Sequence, residues 1–204
     1  MIKNKYIDKR RNKMKTELSG MRLETERLII RPYNESDLVE SFELMQNPEL
    51  FTYMHMGVLS FEEYKGLFKW LIDSYNTPFN MPFKYSFAIR SKATGNFIGW
   101  CGVGVLDLSA PDKELYYLIG RDYWGNGYAT EAAAALTAYA FNVIGLDRLF
   151  AKANSQNTAS IGVIKKLGFV FGRELMGLTG DYEECNGELL HVLTKEQFHK
   201  QAEI

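Results

Sequence analysis

Apolar positions along the chain change period several times, and each change marks an element. ERLIIRPY (26–33) gathers branched apolar residues into a short run with Pro32 near its end, the pattern of a strand. Asn34, with Asp37 three residues on, predicts a cap and a short helix through Leu44. Ser60 and Glu63 form an S-x-x-E capping box. Behind it Phe61, Tyr64, Leu67, Phe68, Leu71, Ile72 and Tyr75 recur at helical spacing and predict a core-facing stripe. Trp70 lies off that stripe, so a solvent-facing and a ligand-facing position are both open to it. KYSFAIRSKATGNFIGWCGVGVLD (84–107) reads as two antiparallel strands around a Thr94-Gly95 turn. Gly99, Gly102 and Gly104 interrupt the second strand, which marks a bulge or a close approach by another group. ELYYLIG (114–120) is a further strand, followed by a glycine-containing elbow and a helix to about Val143. DRLFAKAN (147–154) reads as a strand, NTASIGVIKKLG as a helix, GFVFGREL and CNGELLHVL as strands, and residues 194–200 as a terminal helix. The order is mixed α+β with one strand-helix-strand crossover in the middle.

Composition narrows the function classes. The 204 residues suit one domain, and 46% hydrophobic with 24% charged residues is ordinary for a globular protein. A net charge of −1 argues against a surface given over to nucleic acid. Cys101 and Cys185 are far apart and match no metal or redox spacing, so they read as reduced thiols of a cytoplasmic protein, with no metal site expected. No apolar run approaches the ~18 residues of a membrane span. Residues 1–20 differ from the rest: Lys3, Lys5, Lys9, Arg10, Arg11, Lys13 and Lys15 face only Asp8 and Glu17. They read as a basic, flexible arm ahead of a single domain over 21–204. Contact with RNA or an acidic partner through this arm, and a translation start at Met14 or Met21, are the alternatives.

The elbow carries the chemistry. In RDYWGNGYATEAAAALTAYAF (121–141) a strand runs into Gly125-Asn126-Gly127 and at once into an alanine-rich helix. The first N–H groups of a helix have no internal partner, and the macrodipole adds roughly half a positive charge there. Glycines remove the side chains that would hold an anion away. Gly125, Asn126, Gly127, Tyr128, Ala129 and Thr130 are therefore candidate phosphate-binding residues, an ordinary tight turn being the bland alternative. A P-loop would need Lys and Ser or Thr directly after the second glycine, and neither is there. A dinucleotide fingerprint would need a third glycine where Thr130 stands.

YWGNGYATEA resembles the cofactor loop of the GNAT superfamily of N-acetyltransferases, and more narrowly the branch containing ribosomal-protein alanine N-acetyltransferases. LETERLIIRPYNESDL (23–38) and NTASIGVIKKLGFVF (157–171) resemble the same branch, in the same order. The superfamily loop R/Q-x-x-G-x-G/A is matched at Trp124, Gly127 and Ala129, with Trp124 in the place of the general Arg or Gln, as is common in this branch. The resemblance covers residue 21 to the C-terminus. It implies a mixed, mostly antiparallel central sheet with a splayed parallel pair, flanked by helices. It implies acetyl-CoA as cosubstrate, with its pyrophosphate on the N–H groups of residues 125–130 and its pantetheine arm against backbone groups of Leu118 and Ile119. It also implies that Asn157 contacts that arm, beside its reading as a helix cap, and that Ser160 lies near the sulfur.

Acetyl transfer needs a neutral amine facing a thioester. Glu114 matches an acidic position common in the branch and is the candidate general base, with an orienting charge and a solvated strand end as its other readings. Ser160 is the candidate acid for the departing thiolate, since the position one turn on, where many relatives carry tyrosine, is Ile164. Tyr116 stands where relatives often have glycine. Glu131 reads as a structural first-turn carboxylate, and His55 as a lone histidine near the expected acceptor site. The expected activity is acetylation of a primary amine, a protein N-terminus or a small molecule, by direct attack in a ternary complex. A homodimer is compatible with it. A non-catalytic CoA-binding sensor or partner-binding module is the rival.

Overall fold

The computed structural model describes residue 18, residues 20–54 and residues 56–201. The arm expected over residues 1–20 therefore lies outside the described residues except for Leu18 and Gly20, and His55 lies outside as well. Leu18 is buried in the main core.

Among the described residues eight strands form one sheet. They are β1 (Leu23–Glu24), β2 (Leu28–Pro32), β3 (Lys84–Ser91), β4 (Phe97–Val105), β5 (Lys113–Ile119), β6 (Arg148–Asn154), β7 (Val170–Glu174) and β8 (Glu188–Thr194). Their order is β1-β2-β3-β4-β5-β6-β8-β7. Every neighbouring pair is antiparallel except β5 and β6, which run parallel across a helical crossover; where the sequence pattern predicted one crossover there is a second, from β6 to β7, with β8 inserted between its strands. The helices are α1 (Leu38–Leu44), α2 (Phe61–Ser74), α3 (Tyr128–Tyr139), α4 (Thr158–Lys166) and α5 (Lys195–Gln201).

Local signals set several of these bounds. Asn34 and Asp37 make a reciprocal cap ahead of α1, and Ser60 and Glu63 make another ahead of α2. The α2 stripe buries Tyr64, Phe68 and Leu71, with Tyr75 just beyond. Phe61 departs from the expectation: it is 40% exposed, because it sits at the outer end of the stripe and meets only the edge of Phe42, at 5.0 Å between ring centroids. Trp70 takes the solvent-facing alternative, at 50% exposure. Beyond Tyr139 the helix continues as a π-helical turn, Ala140–Ile144, and stops on Gly145 at φ +83°. That turn keeps Phe141 fully buried against Phe198 of α5.

Period-2 alternation divides the sheet into two faces. Cys101, Val103, Leu115, Leu149 and Ala151 turn toward α3 and α4, meeting Ala132, Ala133, Leu136 and Ile164. The alanines leave no bulk between helix and sheet, so α3 packs close to β4 and β5. On the opposite face α1 and α2 cover Ala88, Phe97 and Leu118 with Tyr33, Phe68 and Leu71. Leu106, Leu175, Cys185 and Leu190 close the far end of that face. Gly102 and Gly104 of β4 are close approaches, not bulges. A Cβ on Gly102 would stand 2.1 Å from the Tyr116 ring, and one on Gly104 2.6 Å from the Lys84 backbone.

Candidate active site

The elbow leaves β5 through Gly120 and a 3₁₀ turn, Arg121–Tyr123. Gly125 and Gly127 both hold left-handed φ, +74° and +78°, and Gly127 is the N-cap of α3. A Cβ on Gly125 would meet nothing within 4 Å, and one on Gly127 only an Arg27 guanidinium nitrogen at 3.5 Å. The loop is thus bare on its outer side. The first N–H–carbonyl bond of the helix runs from Glu131 to Gly127 at 3.1 Å, so the N–H groups of Tyr128, Ala129 and Thr130 precede the internal ladder. Asn126 spends its side-chain amide inside the loop, donating to the carbonyls of Tyr123 (3.2 Å) and Trp124 (3.0 Å). Trp124 donates its indole N–H to the Ile119 carbonyl at 2.6 Å, and the Arg121 guanidinium lies 4.8 Å over its ring.

Glu131 ties the elbow to the sheet edge. It accepts from the Thr25 hydroxyl (2.5 Å), the Arg27 backbone N–H (2.8 Å) and Arg27 Nε (2.7 Å). Partial burial pushes its carboxyl up, and the Thr25 and Arg27 contacts outweigh that and hold it below the usual range.

Beside the elbow, β5 and β6 diverge. They are in register at one pair, Glu114 and Phe150, and separate beyond it. The Gly120 N–H donates to Ile98 O at 2.9 Å across the β4 side. Antiparallel alternation then turns the backbone groups of Leu118 toward Trp100 of β4 and those of Tyr117 and Ile119 toward the opening. Of the two residues expected to meet a pantetheine arm, Ile119 faces the gap, with its carbonyl taken by Trp124, while Leu118 presents its buried side chain to the α1–α2 face.

The N-terminus of α4 lies against β5, where Ser160 meets Tyr117. Asn157 is its N-cap and accepts the Ser160 N–H at 3.1 Å. Tyr117 was not singled out from the sequence. Its phenol lies 2.9 Å from Ser160 Oγ and 3.1 Å from the Ser160 carbonyl. Burial pushes this phenol up to about 12, with the Ser160 contact pulling the other way. Ile164, one turn beyond Ser160, is buried in the core.

Glu114 sits at the vertex where the strands part, 7% exposed, on the face opposite α3. Its neighbours were also missed. Lys84 Nζ lies 3.7 Å from its carboxylate and pairs with Asp107 at 2.9 Å, and Lys152 pairs with Glu188 at 2.8 Å. Burial raises the proton affinity of Glu114, Lys152 and Lys84 lower it, and Asp107 and Glu188 add to the rise; the net shift is upward. Tyr116 covers Gly102 on the same face, donates to Tyr85 O at 2.9 Å and meets Trp100 edge-on at 5.9 Å. Alternation could have placed Tyr116 with Glu114, but Lys84 and Lys152 come from strands whose positions depend on the sheet order.

Among the described residues, no group of three or more His, Cys, Asp or Glu side chains could hold a metal ion. No helix among them is long and apolar enough to cross a membrane. Cys101 and Cys185 are both free and buried. A bare, N–H-rich helix start fits a pyrophosphate, and an opening beside it lined by strand backbone fits an amide-bearing arm.

This frame is that of an acyltransferase using a CoA thioester. A family model described as an acetyltransferase (GNAT) domain matches residues 27–170, and the chain belongs to that family. It is 31% identical over 172 residues to the uncharacterized N-acetyltransferase p20 of Bacillus licheniformis, covering 83% of this chain and 92% of that protein. It is 27% identical over 147 residues to spermidine N(1)-acetyltransferase of Escherichia coli K12, covering 72% of this chain and 75% of that one. Its fold matches the spermidine N-acetyltransferase of Vibrio cholerae solved with CoA and spermine, with a TM-score of 0.69 at 17% identity, covering 86% of this chain and 98% of that chain.

Proposed function

We propose that the chain transfers the acetyl group of acetyl-CoA to a primary amine by direct attack in a ternary complex, with a linear alkylamine as the acceptor class. Acetyl-CoA supplies an electrophilic acetyl carbon and a thiol leaving group. Residues 125–130 hold its pyrophosphate through backbone N–H groups, and Asn157 and the gap-facing groups of β5 flank its arm. The Ser160 hydroxyl stands at the departing sulfur, and Glu114 takes the amine's proton.

The observation that carries the reading is the buried carboxylate at the vertex of the divergent strands. A free α-amine has a pKa of about 7.7–8.0, so neutralising it at pH 7 costs roughly 1 kcal/mol. An alkylamine near 10.4 costs roughly 4.6 kcal/mol and gains more from a base. A carboxylate whose proton affinity is raised by burial suits the second case. Three carboxylates, Glu114, Asp107 and Glu188, against two ammonium groups, Lys84 and Lys152, favour a cationic acceptor. The names of the Escherichia coli and Vibrio cholerae relatives point the same way. The two free thiols fit a cytoplasmic setting.

Release of free thiol from acetyl-CoA, measured across polyamines, amino acids, aminoglycosides and N-terminal peptides, tests this reading. The expected result is turnover that requires an amine and is fastest with a linear polyamine. Turnover only with peptide N-termini would replace the acceptor class. Binding of acetyl-CoA with no turnover on any amine would leave a sensor in place of an enzyme.

A further inference from the structure

Tyr117 is the one phenol among the described residues that reaches from β5 to the N-terminus of α4. We infer that Tyr117 is a positioning residue that acts through Ser160, holding the Ser160 hydroxyl as a hydrogen-bond donor to the leaving sulfur. The inference rests on the acetyl-CoA reading above.

A phenol carries one hydrogen. Two acceptors lie within reach of it, the Ser160 carbonyl at 3.1 Å and Ser160 Oγ at 2.9 Å. With its hydrogen on the carbonyl, the phenol receives the Ser160 hydroxyl hydrogen. With its hydrogen on Oγ, it leaves the Ser160 hydrogen free to point elsewhere. The Asn157 cap holds the Ser160 N–H at 3.1 Å, so the serine backbone stays in place while the two hydroxyls rotate. Switching between the two arrangements needs no movement of heavy atoms.

The chemistry balances without a new co-reactant. As the C–S bond breaks, its electron pair stays on sulfur. Ser160 turns its hydrogen to that sulfur and takes the Tyr117 hydrogen bond in exchange. No proton leaves either oxygen. The proton that finally neutralises the thiolate is the one surrendered by the amine. Relative acidity supports donation without transfer: the phenol is pushed up to about 12, whereas an ordinary thiol titrates near 8.5. At every working pH the phenol keeps its hydrogen and remains a donor.

The bound thiol itself provides the test. Free CoA is titrated on the protein by thiolate ultraviolet absorbance, with desulfo-CoA as the blank so that Cys101 and Cys185 cancel. The same titration is run on Tyr117→Phe, Ser160→Ala and the double variant. A rise in melting temperature with CoA confirms that each variant is folded and loaded. The expected result is a bound-thiol dissociation constant about tenfold greater in the parent than in either single variant, with the double variant no worse than Ser160→Ala. Phenylalanine keeps the ring packing, so a merely structural role would leave the thiol titration unmoved. Equal titration in all four proteins overturns the inference while the acetyl-CoA reading stands. A shift in Tyr117→Phe without one in Ser160→Ala overturns it too, because the phenol would then act without the serine. Loss of CoA stabilisation in the parent protein is the separate result that removes the underlying reading.

Discussion

Glu114, the proposed base, also bears on stability. Its native proton affinity is raised by burial, only partly offset by Lys152 and Lys84. The native state therefore binds this proton more tightly than the unfolded chain does. Stability falls as pH rises from the unfolded value, about 4.3, through the raised native value, and the full cost is present above it. Lys84 and Lys152 keep Asp107 and Glu188 as partners when Glu114 loses its charge. Glu114→Gln should accordingly raise the urea midpoint near pH 7, and the gain should vanish on acidification below the unfolded value. A lower midpoint at neutral pH would mean that the lysines depend on this carboxylate. Such a residue is hard to grade from sequence. Its type and its place at a strand start were legible, but its burial depends on β6 and on Lys84 and Lys152, contributed by other strands.

At the scale of elements, two joints hold the site's frame. Asp37 is fully buried and receives both Nη atoms of Arg31 (2.6 and 2.8 Å), Arg90 Nη1 (2.7 Å) and the Asn34 N–H (2.8 Å). One carboxylate thus joins β2, β3 and the start of α1. Burial alone would raise its pKa; Arg31, the Asn34 N–H and Arg90 reverse that and lower it. Its contribution is present above the ordinary aspartate range and is lost as pH falls through the depressed native value. Asp37→Asn should cost about 3 kcal/mol at neutral pH, read from chemical denaturation, because the Arg31 guanidinium loses its anion and Arg90 keeps only Glu40, at 2.6 Å. The Asn34–Asp37 spacing announced the cap, but the two arginines arrive by strand pairing, which the local pattern does not encode. The second joint is the elbow. Gly127→Val forces a β-branched residue into left-handed φ, at a cost of roughly 1–2 kcal/mol or more, and shifts the first N–H groups of α3. The protein should fold, and the rise in melting temperature that acetyl-CoA gives the parent should largely disappear. An undiminished rise would reduce the elbow to a turn.

Across the whole molecule, alternation of period foretold the elements, and capping boxes and glycines foretold many of their ends. The sheet order was less accessible. That β8 inserts between β6 and β7, and that β5 and β6 pair only at Glu114 and Phe150, follows from tertiary packing of apolar faces. The elbow's geometry was legible because it is local: glycine φ and the first N–H groups of a helix need no partner element. The splayed pair was expected from the family resemblance and not from the local pattern, because its vertex is made by strands far apart in sequence. The proposed reaction joins these parts: an acetyl thioester held at the elbow, an amine deprotonated at the vertex, and transfer between them. The pH–rate profile of thiol release, with one alkylamine acceptor, compared between the parent and Glu114→Gln, tests that union most directly. Release should require both substrates, Glu114→Gln should be slower with an unchanged apparent KM for acetyl-CoA, and its deficit should narrow as pH rises and more amine is already neutral. Identical rates and identical profiles in the two proteins would contradict it.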